Sequence, residues 1–386
     1  MGRRRFKVLV LGGYGNFGRR ICESLAKEKY VELLVAGRDL KKAADLAARI
    51  KSKHSQLHIQ GIALNIDTPS LLEELKQLAP NLVIHTCGPF QNQSYRVPRT
   101  CIAIGAHYID LADDRRFVCD IGQLKQEAEE KGVLLISGAS SVPALSAAVI
   151  DHFLSQFGKL ERIEYAIAPG NQLDRGYATI KAILSYTGHP FTTWVNSRWV
   201  EVYGWMDSIV QDFGAPLGKR HLANIDIPDL ELFPERYEGL ETLRFRAGLE
   251  LAPMHKFMGF MAWLAKKKII KSWAPFARMS VIVSNWFYRF GTDIGGMQVE
   301  MAGKDSGGKH KHLTWTLIAE HGVGPHIPTI PAILVARGIA NGAISRTGAS
   351  PCLGFFSLAE FLAYAEGWGI YTRVQSTKCT PHNALQ

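Results

Sequence analysis

The 386-residue chain has few cysteines, and none of the six forms a Cys-x-x-Cys pair. Scattered at positions 22, 87, 101, 119, 352 and 379, they suit neither a disulfide framework nor a structural zinc site, and they point to a reducing compartment. No apolar run approaches the length of a membrane-spanning helix. Internal repeats and low-complexity linkers are missing, which excludes solenoid and fibrous classes. No zinc-finger, RNA-recognition or basic-zipper pattern occurs, so nucleic acid is not an expected partner. The start, Met1-Gly2-Arg3-Arg4-Arg5-Phe6-Lys7, lacks the apolar run of a twin-arginine signal, and Phe6 replaces the Ser or Thr of a myristoylation site. These features suggest a cytoplasmic protein, with membrane association left open. An unmistakable acid–base pair is also missing.

Acidic residues are in deficit. Thirty-five Asp and Glu face 45 Lys and Arg, a formal net charge of +10. That balance favours anionic partners: a phosphate-bearing cofactor, an acidic substrate or an anionic membrane surface. With 47% hydrophobic and 21% charged residues, the composition is that of a globular protein, and the length suggests roughly two domains.

The most informative segment is the beginning. An apolar run from Phe6 to Leu11 breaks into Gly12-Gly13-Tyr14-Gly15-Asn16-Phe17-Gly18, and Phe17, Ile21 and Leu25 then share one helix face. Strand, glycine turn and helix form the context of a dinucleotide-binding Gly-x-Gly-x-x-Gly, here Gly13, Gly15 and Gly18. The glycines serve a tight turn, backbone approach to a pyrophosphate, and close helix–strand packing. The helix N-terminus supplies amides and partial positive charge. The second strand, 31–36, ends at Gly37-Arg38-Asp39. Arg38 suits the 2′-phosphate of NADP, while Asp39, one residue on, leaves ribose pairing in NAD as the alternative.

The first third alternates strand and helix. Strands are expected at 58–66 (ending at Asp67), 82–86, 108–111 and 133–137, with helices from Leu40 and over 70–78, 97–104 and 123–131. This rhythm predicts an α/β, Rossmann-type, doubly wound parallel sheet. A helix over 143–157 follows, and then strands at 161–168, 242–247 and 296–302, with 313–320 pairing back onto 298–301 as a hairpin. They predict a second α+β domain with a mostly antiparallel or mixed sheet. A helix over 331–341 stopped by Gly342 and a capping box at Ser357 and Glu360 close the pattern. The expected organisation is a dinucleotide-binding domain over 1–142, a substrate and dimerisation domain over 143–328, helices over 329–376 returning to the first domain, and a loose tail over 377–386.

Thr86-Cys87-Gly88-Pro89-Phe90, Ala36-Gly37-Arg38, the segment from Gly105 to Leu111 and the segment from Gly138 to Pro143, together with the glycine turn, give the first 150 or so residues a resemblance to the saccharopine dehydrogenase-like reductases. The stretches around Asp174 to Thr179, Gly291 to Met297 and Gly348 to Cys352 resemble a largely uncharacterised bacterial branch. The resemblance implies an NAD(P)-binding Rossmann domain, a substrate and dimerisation domain on a mixed sheet, and a homodimer. One departure matters. Saccharopine-forming reductases share an Asp-Pro-Gly where this chain reads Gly138-Ala139-Ser140. The cofactor class carries over; the named reaction does not.

Cofactor contacts are expected from Gly12, Gly13, Tyr14, Gly15, Asn16, Phe17, Gly18, Arg38, Asp67, Cys87, Gly88, Pro89 and Phe90. Of these, the residues from Cys87 to Phe90 sit where an open sheet places ligands, with Phe90 as a wall for the nicotinamide. Cys87 is the nearest proton-carrying group, or a packing residue. Tyr108 and Asp110 alternate on one strand, so both can point to a common site as catalytic groups. Arg175 and Tyr177 are candidate substrate contacts across a cleft between domains. The interval 255–291 interleaves basic and aromatic residues, as an in-plane membrane helix does, though the same residues can cover a sheet or line a greasy channel. The leading expectation is an NADP-dependent oxidoreductase acting on a C=N, C=O or C=C bond of a small molecule, anionic or lipid-like. The alternative is a non-catalytic dinucleotide-binding or peripheral membrane protein.

Overall fold

The computed structural model describes residues 5–54, 56–174 and 176–378. These fall into two compact units, one of Met1–Leu145 with Pro325–Phe356 and the other of Ser146–Gly324 with Ser357–Gln386.

The first unit is built on a seven-stranded sheet. Its strands are β1 (Phe6–Leu11), β2 (Val31–Gly37), β3 (His58–Ala63), β4 (Leu82–His85), β5 (His107–Asp110), β6 (Leu134–Ser137) and a late strand, Gly348–Pro351. All neighbours pair in parallel, in the order Gly348–Pro351, β6, β5, β4, β1, β2, β3. Helices cross over between strands. Two of them, α1 (Asn16–Leu25) and α2 (Leu40–Lys53), link β1 to β2 and β2 to β3. Strands covered on both faces have no reason to alternate polar and apolar residues. Accordingly every residue of β4 and β6 is buried, as are Val8, Leu9, Val10 and Leu11 of β1. Full burial of one such side chain is worth about 1.5–3 kcal/mol.

The second unit carries a nine-stranded mixed sheet. Its long strand Lys159–Ala168 pairs in parallel with Thr242–Ala247 and antiparallel with Gly295–Lys304. The hairpin is present: Gln298 faces Thr316 and Met301 faces Leu313.

Several expectations need correction. The third strand stops at Ala63, not Ile66, and turns with the Leu64 amide donating to the Gly37 carbonyl. The single helix over 143–157 is broken. The regular α-helix is only Ser146–Leu154, and Ser141–Leu145 ahead of it forms a wider turn; Val142 there is extended (φ −130°, ψ 130°), as a residue before proline prefers. The block 329–376 is divided. Ile330–Asn341 and Gly348–Pro351 belong to the first unit, but Leu358–Ala365 and Ile370–Lys378 belong to the second. Ile370–Lys378 is not helical; it pairs antiparallel with His310–Ala319. Within the expected loose tail, 377–378 are thus in a strand, and 379–386 lie outside the described residues. The pattern also missed a hairpin, Pro190–Val195 with Arg198–Tyr203. Its turn residues are Asn196 and Ser197, both with positive φ, so the usual Asn-Gly signal is lacking. The capping box is formed as expected: Ser357 Oγ accepts from the Glu360 amide at 3.2 Å, and Glu360 Oε2 accepts from the Ser357 amide at 2.7 Å.

Candidate functional site

Strand order reverses at β1, with β2 and β3 on one side and β4, β5 and β6 on the other. Open α/β sheets bind ligands at the carboxyl ends of the strands flanking such a reversal. The glycine turn after β1 and the loop after β4 lie there.

Steric facts explain the glycines. Gly12 has φ +73°, and a Cβ on it would stand 2.8 Å from Thr86 Oγ1 and 3.1 Å from Cys87 Sγ. A Cβ on Gly13 would meet Val35 Cγ1 at 2.8 Å. One on Gly18 would overlap the Gly12 carbonyl oxygen and lie 2.8 Å from Gly13 Cα. The turn is pinned by Gly13 N donating to the Ala36 carbonyl at 2.9 Å and Gly15 N to the Gly12 carbonyl at 2.8 Å. Gly15 then caps α1 with extended backbone, so no side chain covers that helix end, and no acid stands in the first turn of Asn16, Phe17 and Gly18. A helix start arranged this way presents amides and partial positive charge to an anion.

Tyr14 leaves the turn to lie against Gly37, which has no room for a Cβ beneath the ring. Its hydroxyl accepts from the Asp39 amide at 3.1 Å. Asp39 is occupied: it caps α2, accepting from the Lys42 amide at 3.2 Å. That bond holds its carboxyl below the ordinary range. Arg38 is exposed and, among the described residues, has no hydrogen bond or ion pair. A guanidinium with no ion pair beside a carboxylate already engaged has the chemistry to receive a phosphate. The Arg38 guanidinium and the exposed Asp67 carboxylate, beyond β3, both act electrostatically on Cys87, in opposite senses. The ends of β2, β3 and β4 therefore converge.

Thr86, and Gln93, which the sequence did not single out, hold the loop after β4. Thr86 Oγ1 donates to the Leu11 carbonyl at 2.8 Å. Gln93 Nε2 donates to the carbonyls of Cys87 (2.8 Å) and Pro89 (2.7 Å), fixing the backbone around Gly88. Burial pushes the Cys87 thiol up to about 12, so it stays protonated at neutral pH. Phe90 does not stand open as a wall. It is buried, 5.1 Å centroid to centroid from His85 and 5.2 Å from Phe117.

Tyr108 and Asp110 do share a face, but both are fully buried. Tyr108 OH bonds His85 Nδ1 at 3.0 Å. Asp110 Oδ1 accepts from the Ala112 amide (2.9 Å), Ser137 Oγ (2.9 Å) and the Gly138 amide (2.8 Å), which ties together the chain leaving β5 and β6. Burial raises the Asp110 carboxyl to about 6, lowers the His85 ring to about 3 and pushes the Tyr108 phenol well up. The cluster has the chemistry of a catalytic relay, but no access; it braces loops. A different carboxyl, half-buried Asp113, lies just beyond β5. Gln91 Nε2 donates to its Oδ1 at 3.3 Å, and burial raises it above the ordinary range. Its sequence signal was weak, one of two adjacent acids in Ala112-Asp113-Asp114-Arg115.

In the second unit Tyr177 is exposed at the first position of the helix Tyr177–Tyr186. Arg175 lies outside the described residues. Among the described residues no group of three His, Cys, Asp or Glu is placed to hold a metal, and no helix is long and apolar enough to cross a membrane.

Comparisons agree with this geometry. Residues 8–136 match a family model described as the saccharopine dehydrogenase NADP binding domain. Among solved structures, the fold is similar to apo saccharopine dehydrogenase (L-Glu forming) from Saccharomyces cerevisiae, at 14% identity and a TM-score of 0.68, covering 96% of this chain and 99% of that one. Sorbitol-6-phosphate 2-dehydrogenase from Erwinia amylovora also matches, at 17% identity over 34% of this chain and 69% of that one, with a TM-score of only 0.28. No curated protein sequence matches. The likeness at 14% identity establishes a shared fold, and the family match is confined to residues 8–136. Residues 8–136 are thus similar to the NADP binding domain of saccharopine dehydrogenase, and the chain shares the fold of the yeast enzyme.

Proposed function

We propose that this oxidoreductase moves hydride between NADP and a C=N, C=O or C=C bond of a small molecule held at the carboxyl edge of the parallel sheet. The observation that carries the choice of cofactor is the pairing of exposed, unpartnered Arg38 with an Asp39 already spent on capping α2. The cradle fits the group: Gly12, Gly13 and Gly18 have no room for a Cβ, which keeps the turn tight against the helix, and the start of α1 has no side-chain cap. The nicotinamide supplies the hydride chemistry; the protein supplies binding, orientation and charge.

In this reading Arg38 holds the 2′-phosphate, and the backbone of Gly13, Gly15, Asn16 and Phe17 receives the pyrophosphate. Asp67 borders the adenosine half, and the backbone of Cys87, Gly88 and Pro89 faces the nicotinamide half. Phe90 supports that loop from beneath. The proton that accompanies hydride needs a group that is protonated near neutral pH and reachable. Asp113 is half-buried with its acidity weakened by burial, and we assign it this role with Gln91 as its positioning partner. The net charge of +10 favours an anionic substrate.

The test is a thermal-shift titration with NADPH and NADH in parallel. Binding to the native state stabilises it by about 2.7 kcal/mol at a hundredfold excess over Kd. A shift with NADPH that fades in Arg38→Ala supports the reading. A preference for NADH assigns the ribose to Asp39, and no shift with either overturns the reading.

A further inference from the structure

Between Glu250 and Asp293 the chain carries no carboxylate side chain, yet it holds seven Lys or Arg. Four of these, Lys266, Lys267, Lys268 and Lys271, lie just where the helix Ala252–Lys266 ends, and Arg278 and Arg289 follow around the helix Ala277–Trp286. All seven are exposed, and none forms an ion pair with a described residue; Lys266 instead lies 3.9 Å over the Tyr203 ring.

Both helices wear their apolar residues on the outside. In the first, His255, Met261, Ala262 and Ala265 are buried, while Phe257, Phe260 and Trp263, three residues apart, are exposed. Their rings form a ladder at 6.5 and 6.1 Å. In the second, the stripe of Met279, Ile282, Val283 and Trp286 follows helical spacing and is exposed, Trp286 at 72%. A globular helix ordinarily turns such a stripe inward. An exposed apolar surface of this kind, set among unpaired cations, marks an interaction site.

The charge identifies the occupant. A second copy of this chain docked about a twofold axis would set the patch against itself, cation against cation, with no carboxylate in the interval to offset them. An anionic bilayer meets both halves of the surface. Aromatic and aliphatic side chains enter the boundary between headgroups and acyl chains, and Lys and Arg attract lipid phosphate. We infer that residues 252–290 form an in-plane docking surface for an anionic lipid bilayer. This inference does not depend on the cofactor reading.

Vesicle sedimentation of the full chain tests it, with phosphatidylcholine vesicles and with vesicles of phosphatidylcholine and phosphatidylglycerol. Binding to the anionic vesicles is expected, weakened by salt and roughly a hundredfold lower in K266E/K267E/K268E, given about 1 kcal/mol per basic residue near such a surface. A second variant, Phe260→Ser with Trp286→Ser, removes apolar anchors but keeps every charge. It is expected to lose binding and the quenching of tryptophan fluorescence by brominated acyl chains. A far-UV circular dichroism melt, which needs no cofactor, confirms that each variant is folded. Absence of binding to the anionic vesicles at low salt overturns the inference. So does a dimer in sedimentation velocity that the Phe260 and Trp286 substitutions dissolve.

Discussion

Gly18 faces the Gly12 carbonyl oxygen with no space for a Cβ between them. The two residues fix how closely α1 approaches the end of β1, and hence where the helix amides point. Gly18→Ala must push backbone against backbone, because neither side can yield as a flexible side chain would. A cost of about 1–3 kcal/mol in urea-induced unfolding is expected. NADPH affinity should fall more than stability alone implies, since the amides are displaced from their target. A variant with wild-type melting and wild-type NADPH titration would show that the turn tolerates the methyl group and does not set the site.

Arg38 and Asp39 are expected to separate cleanly. Arg38→Ala removes a charge-assisted contact of about 1.5–3 kcal/mol, so NADPH binding by isothermal titration should weaken roughly tenfold or more, with NADH little changed. Asp39→Ala removes the helix cap on the Lys42 amide. It should lower the melting temperature while leaving the ratio of NADPH to NADH affinity intact. If Asp39→Ala instead abolishes NADH binding selectively, the carboxylate is the ribose partner.

Asp110 gives a pH signature. Burial holds its carboxyl at about 6 in the native state, above its usual value of 3.8. A raised native value means the folded protein binds the extra proton, so this stabilising contribution is full below about pH 4 and is lost as pH rises to about 6. The swing is on the order of 3 kcal/mol at 1.36 kcal/mol per pH unit. His85 acts in the opposite sense: its ring is lowered to about 3, so stability is lost as pH falls from about 6.5. The two overlap, and the wild-type curve alone does not separate them. Denaturation of wild type against Asp110→Asn, from pH 4 to pH 7, does. The stability difference should move in favour of the variant as pH rises. A pH-independent difference would mean the carboxyl titrates normally.

Cys87 is half-buried, and desolvation should govern its thiol. With its acidity weakened to about 12, alkylation by iodoacetamide at pH 7 should be much slower than for a free thiol, since the thiolate is the reactive form. Cys87→Ser should retain NADPH binding. Rapid alkylation at neutral pH, blocked by NADPH, would instead make Cys87 an activated group in the site.

Asp113 and Gln91 carry the proton-transfer proposal. With any substrate that turns over, Asp113→Asn is expected to lower kcat by a hundredfold or more, a usual scale for general acid–base catalysis, while NADPH affinity holds. Gln91→Ala should shift the pH profile without abolishing turnover. An unchanged profile in Asp113→Asn removes the residue from the mechanism.

The sequence by itself determined the dinucleotide-binding half. The glycine spacing, the all-apolar strands and the capping residues are local signals, set by backbone sterics and by burial on both sheet faces, and they survive being read one segment at a time. Gly348–Pro351 and Ile370–Lys378 were not legible, because short or polar strands become strands only when a neighbour supplies the hydrogen bonds. The exposed stripe from Phe257 to Trp286 shows the same limit, since its helical spacing is identical whether it faces a core or faces outward. In the site, Arg38 was visible from its place after β2, but that Asp39 is spent on the Lys42 amide appears only in three dimensions. Likewise the alternation of Tyr108 and Asp110 placed them on one face. Only packing of the chain beyond β5 and β6 decided that this face is sealed, while Asp113 just beyond it is half-buried.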